Sequence, residues 1–437
     1  MEKNGLKDFS KDEYDEFISL FSVSNAWHLI REMLSEIGTS FLDQGERLGF
    51  ISLNLAKKQG YDIKTTRILV LSSLFHDIGK IWQSSSSNDK MISEFDFSTS
   101  YDRALSSYLF LKYFSPLKDF SAIVLFQHGR YDRPQKDAYY KYGVMINLCV
   151  HVDRWISMGF SPEEIISLIN GGKGSYFAPK DCEDMIEILE RTNLIEQVKS
   201  GAYKSTIDDY MTTIYFRRDL IRSYLLMVTY CIEFYNFETM YHARLSASMG
   251  YIFSKLTNLD LHTTCVIYTA CLFGDIGKVR ISHEILEKPG KLTKEETMIM
   301  MRHIEYSKEI LSNVFNDKIV VEYAYSHHER LDGSGYPKHL KGDEINLPMR
   351  ICAISDVIAA MIAGRSYKDA YSMDETIKAL EEMVKENKID KNLVQLYIDN
   401  REEIAAYLQR HQNRMFRNIK SLKAEREILK FSDVWER

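Results

Sequence analysis

This chain repeats itself. LFHDIGK at 74–80 returns as LFGDIGK at 272–278, each time after an apolar run, and QHGRYD at 127–132 returns as HHERLD at 327–332. Asp77 and Asp275 stand 198 residues apart and His128 and His328 stand 200 apart, so a two-residue insertion reconciles the copies. Two matches in the same order at one spacing imply two related folding units in tandem. The length of 437 residues agrees, because it exceeds what one core usually organises.

Apolar residues recur at helical spacing, as in Leu48, Ile51, Leu55 and again in Leu245, Met249, Ile252, and only 7 prolines and 21 glycines interrupt the chain. The expected fold is all-α, with two helical domains in tandem and no sheet beyond a short hairpin. Its expected boundaries are 1–160 for the first domain, 161–215 for a helical connector, 216–400 for the second domain and 401–437 for a basic C-terminal helix. Asn170 to Gly174 reads as a loop in that connector. The sequence GGKGS lacks the spacing of a nucleotide-cradling loop, so no phosphate site is expected there.

The net charge of −6 argues against a nucleic-acid polymer as partner, because neutralising a phosphate backbone takes a basic surface. A small anion remains compatible, since a bound metal can supply local positive charge. The six cysteines form no CxxC pair, and the first residues are polar and acidic rather than apolar, so a reducing cytoplasm is the expected compartment. The most apolar stretch, 223–237, is short for a membrane span and contains Glu233, which favours a buried helix. The tail from Arg410 to Lys430 alternates basic and apolar residues at helical spacing. A dimer seam, a partner helix or a membrane surface could use it; packing on its own domain with a solvated basic face is the expected outcome.

Hydrolysing a phosphodiester at neutral pH takes a strong nucleophile and a clamp for phosphoryl charge, which a pair of metal ions bridged by a carboxylate supplies. The second half holds a matching set of residue types: His242, Asp275, His303, His327, His328 and Asp356. Imidazole and carboxylate without thiolate suit iron, manganese or zinc, as one or two ions.

The segments GDIGKVRISHEILEKPGKLT, MMRHIEYSKEIL, HHERLDGSGYP and ISDVIAAMIAGRSYKDA follow one another in the order of the HD-GYP cyclic-dinucleotide phosphodiesterases, which the second half resembles. The resemblance implies that Glu238 and His242 open the metal site, that Asp275 bridges the ions, that His303, His327 and His328 bind the second ion, and that Asp356 completes the first. It further implies that Lys278 stabilises charge at the phosphate and that Tyr336, Arg365 and Lys368 contact the ligand. Asp275 and Lys278 are then the catalytic pair. Two departures stand out: Gly274 replaces the histidine of the dyad, and Ala359 replaces a further aspartate. The first ion is therefore expected to be held more weakly than the second.

The first half resembles the wider HD superfamily, with the dyad His76-Asp77 intact and Lys80 following. Gln44 stands where His242 would repeat, and Gln127 replaces one histidine of the pair. His76, Asp77, His128 and Asp153, with His151 assisting, form a degenerate second site whose metal occupancy the sequence leaves open. Two functions are compatible with all this. One is metal-dependent hydrolysis of a cyclic dinucleotide, with cyclic di-GMP the expected substrate and the first half regulatory. The other is a degenerate protein that binds a cyclic dinucleotide or a partner without turnover.

Overall fold

The computed structural model describes residues 9–21, 25–83, 100–213, 223–224, 227, 230, 237–286, 288, 290–363 and 370–430. Among them helices are joined by short turns, and backbone pairing outside helices is limited to isolated bridges such as Phe21 with Phe315 and Asp332 with Lys341. No described helix is long and apolar enough to cross a membrane. The apolar stretch 223–237 falls mostly outside the described residues; Tyr224 and Met227 within it are buried. Cys149, Cys182, Cys265, Cys271 and Cys352 are free and buried, and Cys231 is not among the described residues.

The helices, in chain order, are α1 (Lys11–Ser19), α2 (Asn25–Lys58), α3 (Ile63–Leu74), α4 (Ser100–Phe114), α5 (Ala122–Leu125), α6 (Tyr140–Ser157), α7 (Pro162–Gly172), α8 (Pro179–Arg191), α9 (Leu194–Ser200) and α10 (Tyr203–Thr213). They continue with α11 (Phe237–Leu256), α12 (Leu261–Phe273), α13 (His283–Leu286), α14 (Lys294–Met301), α15 (His303–Val314), α16 (Lys318–Tyr325), α17 (Leu347–Ile362), α18 (Met373–Lys385), α19 (Lys391–Asp399) and α20 (Arg401–Lys430).

Two compact units result, and they cut the chain differently from the boundaries expected from the sequence. One unit comprises 37–227 and 418–437; the other comprises 1–36 and 228–417. The segment 161–215 is therefore part of the first compact unit, where α7 to α10 bury Ile165, Ile169, Met185 and Ile207. Asn170, Gly171 and Gly172 are the last turn of α7 rather than a loop, which begins at Lys173. The N-terminal helix α1 packs on α12 of the second unit, because it carries Phe17 and Ile18 on one face and the buried Glu13 beside them. The Glu13 carboxylate accepts from the Ser10 N–H in a capping box, receives the Tyr251 hydroxyl, and pairs with Lys255.

Each unit contains the same turn device. The helices α2 and α11 end on the left-handed residues Gly60 (φ 69) and Asn258 (φ 52), followed by the N-caps Asp62 and Asp260 of α3 and α12. At the far end of α3 and α12 the dyad aspartate opens a 3₁₀ turn whose glycine lies against a neighbouring helix. The Gly79 N–H donates to Ser107 Oγ at 3.0 Å, and the Gly277 N–H donates to Ser307 Oγ at 2.9 Å. A Cβ at Gly277 would come within 2.2 Å of the His303 carbonyl oxygen, so only glycine permits this approach.

The tail is the last part of α20. Leu422 and Arg426 are buried, and the Glu425 carboxylate accepts from Tyr108 (2.7 Å), Lys112 (2.6 Å) and Tyr113 (2.8 Å) of α4. The end of the tail thus packs on α4 of the first compact unit, not on the domain that precedes it as expected, while 410–417 stay with the second unit. Burial raises the pKa of Glu425, but Lys112 and the two tyrosines outweigh it and bring the value below the ordinary 4.5. A lowered folded-state pKa means that this contact stabilises at pH above the ordinary carboxylate value and fades as pH falls through the lowered one. Glu425→Ala should cost about 1–3 kcal/mol of stability at neutral pH, read as a lower denaturation midpoint. The difference from wild type should shrink below pH 4; an unchanged midpoint at pH 7 would show that the tail is not held there.

Candidate metal centre

The site residues arrive from five places in the second unit. His242 lies on α11; Asp275 follows the end of α12; His303 begins α15; His327 and His328 follow α16; and Asp356 lies on α17. The helices α11, α12 and α17 pack on one another, and α15 packs on the 3₁₀ turn Ile276–Arg280, so the other four pieces of chain converge on one buried carboxylate.

That carboxylate is Asp275, which is 6% exposed. Its Oδ1 lies 3.3 Å from His303 Nε2 and 3.7 Å from His327 Nε2; its Oδ2 lies 3.3 Å from His242 Nε2 and 2.8 Å from Lys278 Nζ. Burial raises the pKa of Asp275, but Lys278 and then His242 bring it well below the ordinary value. Asp356 receives His242 Nε2 at 2.9 Å on Oδ1 and lies 3.3 Å from His328 Nδ1 through Oδ2. Burial lowers the pKa of His242, yet hydrogen bonds to Asp275 and Asp356 raise it to about 9. His328 moves the other way, to about 3, through burial and the neighbouring His327.

Donor atoms within 4.8 Å of one another form two groups that share Asp275: Asp275, His303, His327 and His328; and His242, Asp275 and Asp356. The first group fits a cation for a reason beyond proximity. His303 Nδ1 and His327 Nδ1 each lie 2.6 Å from a backbone carbonyl, of Met300 and Ala324. A carbonyl only accepts, so the ring proton sits on Nδ1 and the lone pair of Nε2 faces Asp275. His303 Nε2 and Asp275 Oδ1 are both buried and neither completes a hydrogen bond. Two lone pairs aimed at each other in a buried place are repulsive unless a cation stands between them. The donor set suits a divalent transition metal.

Gly274 lies at the edge of this cluster. An ideal Cβ there would sit 3.1 Å from His327 Nδ1 and 3.0 Å from the Ala270 carbonyl oxygen, tight contacts that require a few tenths of an ångström of movement. Tyr336 lies against His328 with ring centroids 4.7 Å apart, and burial raises its pKa. The loop carrying Tyr336 is fixed by the buried Glu329, whose carboxylate accepts the N–H groups of Lys338 (2.7 Å) and Leu340 (3.0 Å). Glu238 is on α11, but its side chain lies outside the described residues, as do Arg365 and Lys368 altogether.

The first unit is arranged otherwise. His76 and Asp77 are buried, with His76 Nε2 3.6 Å from Asp77 Oδ2 and Lys80 Nζ 2.6 Å from the same oxygen. Asp153 is 2% exposed and gripped by Arg47, whose Nε and Nη2 lie 2.6 and 3.2 Å from its two oxygens. His128 is exposed, and His151 is turned against Trp155 and Phe177. Among the described residues no metal-ligand group forms here. Arg47, Glu329 and Arg330, whose guanidinium bonds the carbonyls of His327 and Glu329, went unnoticed in the sequence. Arg47 had a signal: it is one helical turn beyond Gln44, the position that repeats His242.

Comparison with known proteins gives a consistent picture. Residues 233–393 match the HD domain family. The 3′3′-cGAMP-specific phosphodiesterase 1 of Vibrio cholerae is 23% identical over 401 residues, covering 87% of this chain and 92% of the relative. The cyclic di-GMP phosphodiesterase response regulator RpfG of Xanthomonas campestris pv. campestris is 40% identical over 139 residues, 31% of this chain and 36% of the relative. Among solved structures, a cyclic GMP-AMP-specific phosphodiesterase of Vibrio cholerae, V-cGAP3, superposes with a TM-score of 0.50 at 19% identity over 87% of this chain and 97% of that one, a likeness of fold. The all-α architecture and the cluster around Asp275 agree with what these matches show, which is that residues 233–393 are similar to the HD domain family.

Proposed function

We propose that the second unit hydrolyses a phosphodiester bond of a cyclic dinucleotide. The observation that carries this is the pair of ligand groups joined through the single carboxylate of Asp275. His303, His327, His328 and Asp275 would hold one divalent transition metal, and His242, Asp275 and Asp356 a second. When bound, such ions activate water and neutralise phosphoryl charge. The chain's own residues do the rest. Asp275 fixes the spacing of the two groups, and carbonyl hydrogen bonds hold the His303 and His327 rings in the ligand tautomer. Lys278, 20% exposed at its side chain and bonded to Asp275, would meet a phosphate oxygen of the substrate. Tyr336 walls the site beside His328 and offers a flat face for a base. Relatives named for 3′3′-cGAMP and for cyclic di-GMP support the substrate class, and both compounds are candidates. In the same reading the first unit is a regulatory HD-type domain and the protein acts in a reducing cytoplasm, in keeping with its free buried cysteines.

Gly274 favours a second reading, in which the domain binds the dinucleotide without cleaving it, because no imidazole stands beside Asp275 at the dyad. Turnover of 3′3′-cGAMP and cyclic di-GMP to linear dinucleotide, measured with added Mn²⁺ or Fe²⁺, separates the two. Binding of both compounds without cleavage would establish the second reading.

Asp275→Asn should lower kcat by at least about 10³-fold, since the bridge contributes several kcal/mol to the transition state. Metal content measured on the same preparation should fall with it. Wild-type turnover by this variant would remove Asp275 from the site.

Gly274→His tests the dyad directly. In the first unit the ring of His76 places Nε2 3.6 Å from Asp77 Oδ2, and the same rotamer at 274 would bring a nitrogen to the Asp275 oxygen that faces His242. Metal content should rise toward two ions per chain and turnover should increase. Gly274→Ala, which adds the Cβ contact with His327 but no ligand, should gain neither and should lose stability, by roughly 1–3 kcal/mol where the ring cannot shift. Equal metal content in the two variants would show that position 274 does not reach the site.

A further inference from the structure

We infer that the first unit takes no metal at its dyad because the guanidinium of Arg47 already performs an ion's electrostatic work on Asp153. The reading of the first half as an HD-type domain supplies only the correspondence of positions; the ion pair stands without it. In the second unit Asp356 meets His242 Nε2 at 2.9 Å and His328 Nδ1 at 3.3 Å, ring nitrogens able to give a lone pair to a metal. In the first unit the position that repeats His242 is Gln44, whose amide oxygen is 3.5 Å from Lys80 Nζ. One turn further along α2, Arg47 turns its fork onto Asp153, and each carboxylate oxygen takes one N–H, at 2.6 and 3.2 Å.

A guanidinium keeps its proton at any working pH and has no lone pair, so it neutralises a carboxylate but never shares a metal with it. Asp153, 2% exposed, would be costly to bury bare, and the fork removes that cost without an ion. Burial alone would lower the pKa of Arg47, but Asp153 outweighs it and raises the value. The other members of the set do not close into a ligand group. Lys80 holds Asp77 at 2.6 Å, His76 Nδ1 lies 2.9 Å from the Ser73 carbonyl, His151 Nδ1 lies 2.9 Å from the Asn147 carbonyl, and His128, though near Asp77 and His76, does not gather with them around one point. Among the described residues no three donor atoms gather here, which falls short of the three or four ligands that a stable transition-metal site needs. A divalent ion would have to displace the Arg47 fork before Asp153 could bind it. The two units thus reach the same end, a neutralised buried carboxylate, by different cations.

Two measurements on the full chain test this. After anaerobic loading with Mn²⁺, His76→Asn should keep the wild-type metal content, whereas Asp275→Asn with His327→Ala should lose nearly all of it. An ion that persists in the Asp275→Asn/His327→Ala chain and disappears when His76→Asn is added would overturn the inference. In thermal melting, Arg47→Ala should lower the midpoint by several degrees, and adding Asp153→Asn should recover part of the loss, because the unpaired carboxylate is gone. Identical midpoints for Arg47→Ala and the double variant, or no loss in either, would show that Arg47 is not the counterion of Asp153. The metal arm leaves Arg47 untouched, so it decides the matter even where Arg47→Ala does not fold. Neither arm needs catalytic activity, so an inactive protein answers both questions.

Discussion

Everything around the candidate centre depends on keeping one carboxylate ionised in the interior. Asp275 is nearly inaccessible, and a buried carboxylate without partners would take up a proton or unfold its surroundings. Lys278 and His242 prevent that at Oδ2, while His303 and His327 aim lone pairs toward Oδ1, where a cation would complete the neutralisation; each of the four arrives on a different element, so the charge requirement is also an assembly requirement. The turn Ile276–Arg280 must lie against the start of α15, which is why position 277 has no room for a side chain. Moving α15 would withdraw His303 from Asp275 and open the Gly277–Ser307 bond together. Packing and electrostatics are the same constraint here.

The internal repeat lets the molecule serve as its own comparison. Backbone features recur in both units: left-handed helix ends at 60 and 258, aspartate caps at 62 and 260, the glycine–serine bond, and the dyad aspartate bound by the lysine three residues on. Side chains that would meet an ion differ. Where the second unit has His242, His303 and His327, the first has Gln44, no histidine on α4, and Gln127, whose amide donates to the His76 carbonyl at 3.0 Å. The framework therefore survives a change of cation because backbone hydrogen bonds and helix packing define it, and the ligands are attached afterwards.

Much of this was legible in the sequence because it is local or repeated. Helical periodicity gives the all-α class, and the order of the HD motifs gives the residues that gather around Asp275. Spatial partition was not legible, since contiguity along the chain says nothing of which core a segment joins: Phe17, Ile18 and Glu13 send α1 to the second unit, and Glu425 and Leu422 keep the end of α20 with the first. A Gly-Gly pair read as a loop sits at the end of α7, where Gly172 is needed because a Cβ would strike the Phe177 ring at 2.5 Å. Arg47 was missed for a similar reason. Counting back to the residue that repeats His242 finds a neutral glutamine, and the cation that matters lies one turn away, visible only when the helix face is considered as a surface.

The position before the dyad aspartate shows how the two units divide one small volume. In the first unit it carries His76, and the facing position carries Gln127, whose amide donates to the His76 backbone carbonyl. In the second unit the facing position carries His327, and position 274 is glycine, with the His327 ring occupying the space that a Cβ would press against at 3.1 Å. Each unit thus places one imidazole across this contact. His327 is tethered to the Ala324 carbonyl and aimed at Asp275, so the second unit's imidazole serves the ligand group, while that of the first is tied to the Ser73 carbonyl and faces Asp77. Glycine at 274 is then more than a missing ligand. It leaves His327 undisturbed, and the integrity of the four-ligand group is set against the completeness of the three-ligand one.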